Sequence, residues 1–365
     1  MTELVPVDAA VVAGLTPEAA ELLAAAQAER DETLTDEAAE LVSRGLADAT
    51  TRSYRRIAGE YRQWCEATGR TPLPASEATL ANYVAHLAAT PTAKGNPRAP
   101  GSIDQALACI LAMHDHARLT KPNTKAARLA LRAYRKQRTK AGHRKKKSPP
   151  ITLPVLRQMI AALPTDTPKG IRDRALLVIG FALMGRRSEL SALDIGDLVF
   201  TEDGLDVYIA MSKTDQDAHG EIIPIPYGTH RETCPVRTVR AWLDLLAKHG
   251  TTTGALLRPI DKHDRIGGIV YPDGGRAARG TGERLTGHGI NYRVKLAAVA
   301  AKLPNAGDYS AHGLRAGGAT SAAKNGAPMS AITAHGRWAD GSPIVAGYIR
   351  QVDRWSENPM RGVGL

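Results

Sequence analysis

Apolar residues recur at helical intervals over most of the chain. In TTRSYRRIAGEYRQWCEATG, beginning at Thr50, the residues Tyr54, Ile57, Ala58, Tyr61, Trp64 and Cys65 fall on one stripe, while Arg55, Arg56, Arg62 and Gln63 lie off it. The same spacing predicts helices over 76–89, 101–118 and 123–139, separated by the breakers TPLP, TAKGNPRAPG and TKPN. These four segments read as a small all-helical bundle with a basic outer face. Ahead of them, residues 1–47 are rich in Ala and Glu, and Thr16-Pro17-Glu18 and Thr35-Asp36-Glu37 are helix starts. This acidic arm, 1–47, is expected to be partly helical and partly disordered.

Beyond Ile151 the pattern turns mixed. Helices are predicted at 153–163, 168–184, 187–193 and 235–249, then at 286–302, 312–325, 329–335 and 342–350. LDVYIAM and EIIPIPY alternate as strands around the hairpin turn SKTDQDAHG. GGRAARGTG is glycine-rich but lacks the Lys-Ser/Thr of a phosphate loop, and reads as an exposed loop. The predicted fold is mainly α: a helical bundle over 48–141, a basic linker over 142–150, and a mixed α+β domain with a small antiparallel sheet and short tail over 151–365.

Charge sharpens this division. The net formal charge of the 365 residues is +11, yet residues 1–48 hold eleven acids against two arginines, a net of −9. The remainder carries +20. So basic a body suits a polyanion, most often nucleic acid. The run RKQRTKAGHRKKK, from Arg135 to Lys147, has eight Lys/Arg in thirteen residues and cannot bury itself. Three widely spaced cysteines, Cys65, Cys109 and Cys234, offer neither a disulfide framework nor a zinc cluster and suit a reducing cytosol. The longest apolar run, Ala175 to Met184, is about half of what spans a bilayer. The start MTELVPVDAAVVAGL lacks the basic residues of a secretory signal. A cytoplasmic, nucleoid-associated protein is expected.

Chemistry concentrates after residue 180. MGRRSELSALDIGDL places Arg186 and Glu189 three apart at a helix start, directly after the apolar ALLVIGFALM. A surface ion pair is the ordinary reading of R-x-x-E, but a pair set against a buried helix must be matched or functional. Lys213 sits on the hairpin turn, where lysines are usually only solvated. SAHGLRAGGAT puts His312 and Arg315 on one helix face, and GRWADGSPIVAGYIR puts Trp338 ten residues before Tyr348. HDH at 114–116 could pass for metal ligands, but it is expected on the surface of the bundle.

Taken in order, Arg, Lys, His-x-x-Arg, Trp and Tyr resemble the tyrosine site-specific recombinases, the phage integrase family, over about residues 50–356. The resemblance implies a core-type DNA-binding bundle and a recombinase catalytic domain. It implies Arg186 as the first catalytic arginine with Arg187 its rival, and Glu189 as an orienting carboxylate. Lys213 becomes the acid for the leaving 5′ oxygen, and His312 and Arg315 the H-x-x-R pair. Trp338 stands where many members have a second histidine, His335 being three residues too far from the tyrosine, and Tyr348 is the nucleophile. The residue types suit this work. Two guanidiniums fork onto the oxygens of a pentacoordinate phosphorus with permanent charge, so the clamp needs neither metal nor cofactor. A phenol titrating near 10 needs cations or a base to activate it.

Double-stranded DNA bearing an inverted-repeat site is the implied partner, with self-association to a tetramer upon it. Phosphate contacts are expected from Lys136, Arg138, Lys140, Arg144, Lys145, Lys146 and Lys147, and sequence reading from Arg55, Arg56 or Arg62. Trp355 in the tail suits docking on a neighbouring protomer. Two other readings stay open: a type IB topoisomerase-like or telomere-resolving enzyme, and a DNA-binding protein whose catalytic domain has decayed.

Overall fold

The structure, a computed structural model, describes residues 48–144, 147–210, 220–277, 282–339 and 341–353, with isolated positions 35, 37, 358, 360 and 363. The N-terminal arm up to residue 34, Lys145, Lys146, Lys213 and Trp355 lie outside the described residues. The chain divides into two compact units, Met1–Arg144 and Lys145–Leu365.

Among its described residues the first unit holds four helices: α1 (Asp48–Ala67), α2 (Glu77–Ala89), α3 (Pro100–His116) and α4 (Lys125–Lys140). Its core comes from the stripes visible in the sequence, with Ile57, Tyr61, Leu80, Tyr83, Leu107 and Leu131 buried. Tyr61 meets Tyr83 edge-on at 4.9 Å between ring centroids. Ser76 caps α2 by accepting from the Thr79 amide at 3.1 Å. One expectation changes here. His114 is fully buried rather than on the surface. Its Nε2 accepts from the Ala75 amide at 2.9 Å and its Nδ1 donates to the Ile110 carbonyl at 2.8 Å, so both nitrogens are spent on packing. α4 extends through Lys140, close to the predicted end at 139, and stops beside Gly142, whose φ of +78° is left-handed.

The second unit opens with α5 (Leu153–Ala161), α6 (Pro168–Ala182) and α7 (Arg187–Ala192). The strands β1 (Leu198–Phe200), β2 (Gly204–Ile209) and β3 (Glu221–Pro226) follow as one antiparallel sheet in that order, with Ile209 opposite Glu221 at the hairpin. β1 was not expected, because three residues after a 3-10 turn are too short to show an alternation. Then come α8 (Pro235–Lys248), α9 (Gly287–Ala300), α10 (Ala311–Lys324), α11 (Met329–His335) and α12 (Pro343–Asp353). The inner face of the sheet, Leu205, Val207, Ile209, Ile223 and Ile225, packs with Leu176, Ile179 and Trp242 into the main core. α5, α9 and α10 form a second core around Met159, Val294 and Leu314. A third cluster is much smaller: Met184, Ala319, Ile332 and Val345, with Trp338 and Tyr348 packed against it. No helix among the described residues is long and apolar enough to cross a membrane.

The small residues of α10 have a packing reason. A Cβ on Gly317 would lie 1.9 Å from the Ile151 carbonyl oxygen, so only glycine lets this helix sit so close to the segment before α5. That close approach fixes where the polar residues of α10 emerge.

Candidate active site

Arg186 caps the N-terminus of α7 in extended conformation, and Glu189 is the third residue of that helix. The carboxylate accepts from the Arg186 amide at 2.7 Å through Oε2 and from Arg186 Nη1 at 2.7 Å through Oε1. This is not the surface pair that R-x-x-E usually makes, because the Glu189 side chain is 1% exposed and that of Arg186 19%. Arg187 is exposed and lies along Gly287 at the start of α9, whereas Arg186 is tied to the buried carboxylate. A second guanidinium completes the carboxylate's shell: Arg337 Nη2 donates to Glu189 Oε2 at 2.9 Å. Burial alone would push the Glu189 carboxyl up, but the charge of Arg337 and the hydrogen bonds from Arg186 and Arg337 outweigh it and hold the pKa below the usual range.

Arg315, on α10, is buried, and its Nη1 donates to the Met184 carbonyl. Met184 has a φ of +46°, which turns the chain from α6 into the Arg186 cap. Both arginines are therefore tied to the same turn. The Arg315 guanidinium carbon lies 3.7 Å from the centroid of the Trp338 ring, a stacked cation–π contact. Trp338 can fold back this way because the residue two before it is glycine; a Cβ on Gly336 would sit 1.7 Å from the indole. The other terminal nitrogen, Nη2 of Arg315, is buried and has no hydrogen-bond partner among the described residues. Burial and then the charge of Arg186 push the Arg315 pKa down to about 9, which leaves it charged at neutral pH. A buried, charged and partly unbonded fork is a seat for an anion.

Tyr348, on α12, lies beside this fork. Its hydroxyl is 3.0 Å from His312 Nε2, and its ring meets Trp338 edge-on at 6.0 Å. Desolvation by the surrounding protein lowers the His312 pKa, and Arg315's charge lowers it further, so the imidazole is neutral at pH 7 and free to accept a proton. Burial raises the phenol, against the pull of Arg315. His335 is engaged elsewhere, with Nε2 2.7 Å from the Ala182 carbonyl.

The structure thus brings Arg186, Glu189, His312, Arg315, Trp338 and Tyr348 together from three helices, α7, α10 and α12, and the turn after α11. Lys213 lies on the hairpin outside the described residues. Arg337 is the site neighbour that sequence reasoning missed; its one signal was a charged residue wedged between Gly336 and Trp338 in G-R-W. Among the described residues no group of three or more His, Cys, Asp or Glu could hold a metal ion. On the bundle, Arg55, Arg56, Arg62, Lys136 and Lys140 are exposed, as are Arg144 and Lys147. Arg138 is half-buried. It folds onto the Tyr134 ring at 5.9 Å and donates to the Tyr134 hydroxyl at 3.3 Å and the Arg98 carbonyl at 3.4 Å.

No protein-family model matches the chain. Over 343 residues, 93% of this chain and 92% of the relative, it is 30% identical to the integrase/recombinase xerD homolog of Selenomonas ruminantium. Its fold is similar to that of a lambda integrase dimer bound to a COC′ core site, with a TM-score of 0.52 and 16% identity over 85% of this chain and 91% of that one. It is also similar to the XerH site-specific recombinase in its pre-cleavage complex with difH, with a TM-score of 0.51 and 12% identity over 90% of this chain and 86% of that one.

Proposed function

The chain belongs to the tyrosine recombinase/integrase family, and on that premise we propose that it cuts and rejoins DNA at specific sites through a 3′-phosphotyrosyl link. One observation carries the chemistry: the Tyr348 hydroxyl lies 3.0 Å from a neutral imidazole nitrogen and beside a buried guanidinium with an unbonded nitrogen. In the proposed step the Tyr348 oxygen attacks the scissile phosphorus and its proton passes to His312. Arg186 and Arg315 hold the non-bridging oxygens as negative charge develops there. The bond from phosphorus to the 5′ oxygen breaks, and Lys213, placed by resemblance on the β2–β3 hairpin, protonates the departing oxygen. Attack by the 5′-hydroxyl of another strand reverses the step without ATP. Within the family, S-x-H-x-x-R-x-G, G-x-W and Y-I-R-x-x-D make the C-terminal stretch most like the bacteriophage recombinase Cre.

The exposed arginines of α1 and the basic residues near Lys140 and Lys147 suit phosphate contacts, so binding weakens steeply with salt. The lambda integrase relative sits on its core site as a dimer. If this chain does likewise, exchange between two sites assembles four protomers.

Tyr348→Phe tests the reading. The variant is expected to bind its site like wild type and to leave no protein attached to a 3′ end in denaturing gels. If wild type also leaves none, the decayed-binder reading replaces this one. Two sites on one plasmid then separate exchange from simple relaxation, the outcome that a topoisomerase-like enzyme would give.

A further inference from the structure

Arg337 holds a conformation that side chains avoid. Its φ is +57°, in the left-handed region that favours glycine. A non-glycine there persists when its surroundings over-determine it, and such positions cluster at functional sites. The surroundings of Arg337 are specific. Its side chain is 1% exposed and reaches Glu189 Oε2 at 2.9 Å, the Leu183 carbonyl at 3.3 Å and the His335 carbonyl at 3.0 Å. Its own carbonyl accepts from Arg186 Nη2 at 2.8 Å. Arg186 is therefore gripped twice by one residue, directly through that carbonyl and indirectly through the carboxylate the two arginines share. The next residue, Trp338, is the surface on which Arg315 stacks.

The charge balance gives this arrangement a purpose. Glu189 paired with Arg186 alone would cancel the positive charge that Arg186 offers a phosphate. Arg186 already holds both carboxylate oxygens, Oε2 through its amide and Oε1 through Nη1, and Arg337 adds a second, charged donor on Oε2, so that the group of three guanidiniums and one carboxylate keeps a net charge of +2. Resting on the recombinase reading, we propose that Arg337 is a positioning residue for strand cleavage. It offsets Glu189 so that Arg186 stays available to the scissile phosphate, and it fixes the orientation of the Arg186 fork.

The test is single-turnover cleavage of a nicked site, whose cut strand diffuses away, at saturating full-length protein. Arg337→Met should form the covalent complex about 100-fold more slowly, the scale of losing one aimed donor, with site affinity within about twofold of wild type. Arg337→Lys keeps the charge without the planar fork and should recover about tenfold of that loss. Because Arg337 is argued to act through Arg186, Arg186→Met and the double variant Arg186→Met/Arg337→Met should cleave equally within about twofold. A merely structural role predicts instead that the losses multiply, or that slower cleavage only tracks a lower folded fraction in thermal melts; either result overturns the proposal. Should Arg337→Met fail to fold, the Lys variant decides: unchanged affinity with about tenfold slower cleavage supports positioning, and a wild-type rate sinks it. Wild type that forms no covalent complex fails the recombinase reading itself, whereas full-rate cleavage by Arg337→Met fails only this inference.

Discussion

The two sides of the proposed site are built differently. On the arginine side, Arg186, Glu189, Arg337 and Arg315 are linked by charge-assisted hydrogen bonds and backbone carbonyls, and Glu189 and Arg337 are each 1% exposed in their side chains. On the tyrosine side, α12 leans on a cluster of four buried residues, to which it contributes Val345, and Ile344 one position earlier is 55% exposed. The difference follows from the chemistry proposed for each. Donors that meet developing charge gain by being fixed beforehand. A nucleophile that must be presented and later released gains by sitting on an element with few buried contacts, which opens locally at small free-energy cost.

The arginine side is broken most severely by removing its carboxylate. Glu189→Ala leaves Arg186 and Arg337 facing each other in a buried space, and breaking a buried pair costs about 3–5 kcal/mol. Cleavage should fall by at least about 100-fold. The wild-type linkage has a definite sign. The folded pKa of Glu189 lies below its ordinary 4.5, so its contribution is fully present above 4.5 and fades as pH falls through the folded value. Urea melts should show wild type losing more stability than the variant between neutral pH and pH 4. Equal losses would mean that the carboxylate is not held by charge.

Much of this was legible beforehand, and the exceptions share a cause. Helix spans matched to within about three residues, because caps, prolines and apolar spacing are local signals. Thr167 with Pro168 at the start of α6 is such a case. Arg186, Glu189, His312, Arg315, Trp338 and Tyr348 could be named from motif order, and their convergence is a tertiary fact that only the fold supplies. What was missed depends on partners distant in sequence. His114 looked like a surface residue of H-D-H, yet its acceptor nitrogen pairs with Ala75, 39 positions away. Arg337 looked like one more arginine of a basic chain, yet its carboxylate lies 148 positions back. Arg138 looked like one more cation of the basic run, yet it also donates to the Arg98 carbonyl, 40 positions back.

The tyrosine side is probed by pH with a smaller effect. His312 accepts the proton only when neutral, and its pKa lies below the ordinary 6.5. Wild-type cleavage should therefore hold level around pH 7 and fall about tenfold per unit once pH drops below the folded value. In His312→Ala the base is gone while the Tyr348 phenol stays above its ordinary 10, so the rate should climb about tenfold per unit across the neutral range as phenolate becomes available. A variant whose profile matches wild type would show that the 3.0 Å contact carries no proton.

The mildest test asks whether the thin cluster under α12 melts apart from the main core. Val345 is 1% exposed and Leu176, in the core beneath the sheet, is 0% exposed. Truncating Leu176 to alanine should lower global stability by about 2–5 kcal/mol, with cleavage by the folded protein within about twofold of wild type. Truncating Val345 removes about 1–2 kcal/mol of apolar burial, but only from the seat of α12. Its global melting temperature should stay near wild type, while amide exchange in 343–353 quickens and cleavage slows by about threefold to tenfold, because Tyr348 spends less time beside Arg315. A Val345→Ala protein that melts early without slowing would place α12 in the same cooperative unit as the sheet core. The nucleophile would then be held as firmly as the guanidiniums it works beside, and the contrast between the two sides would disappear.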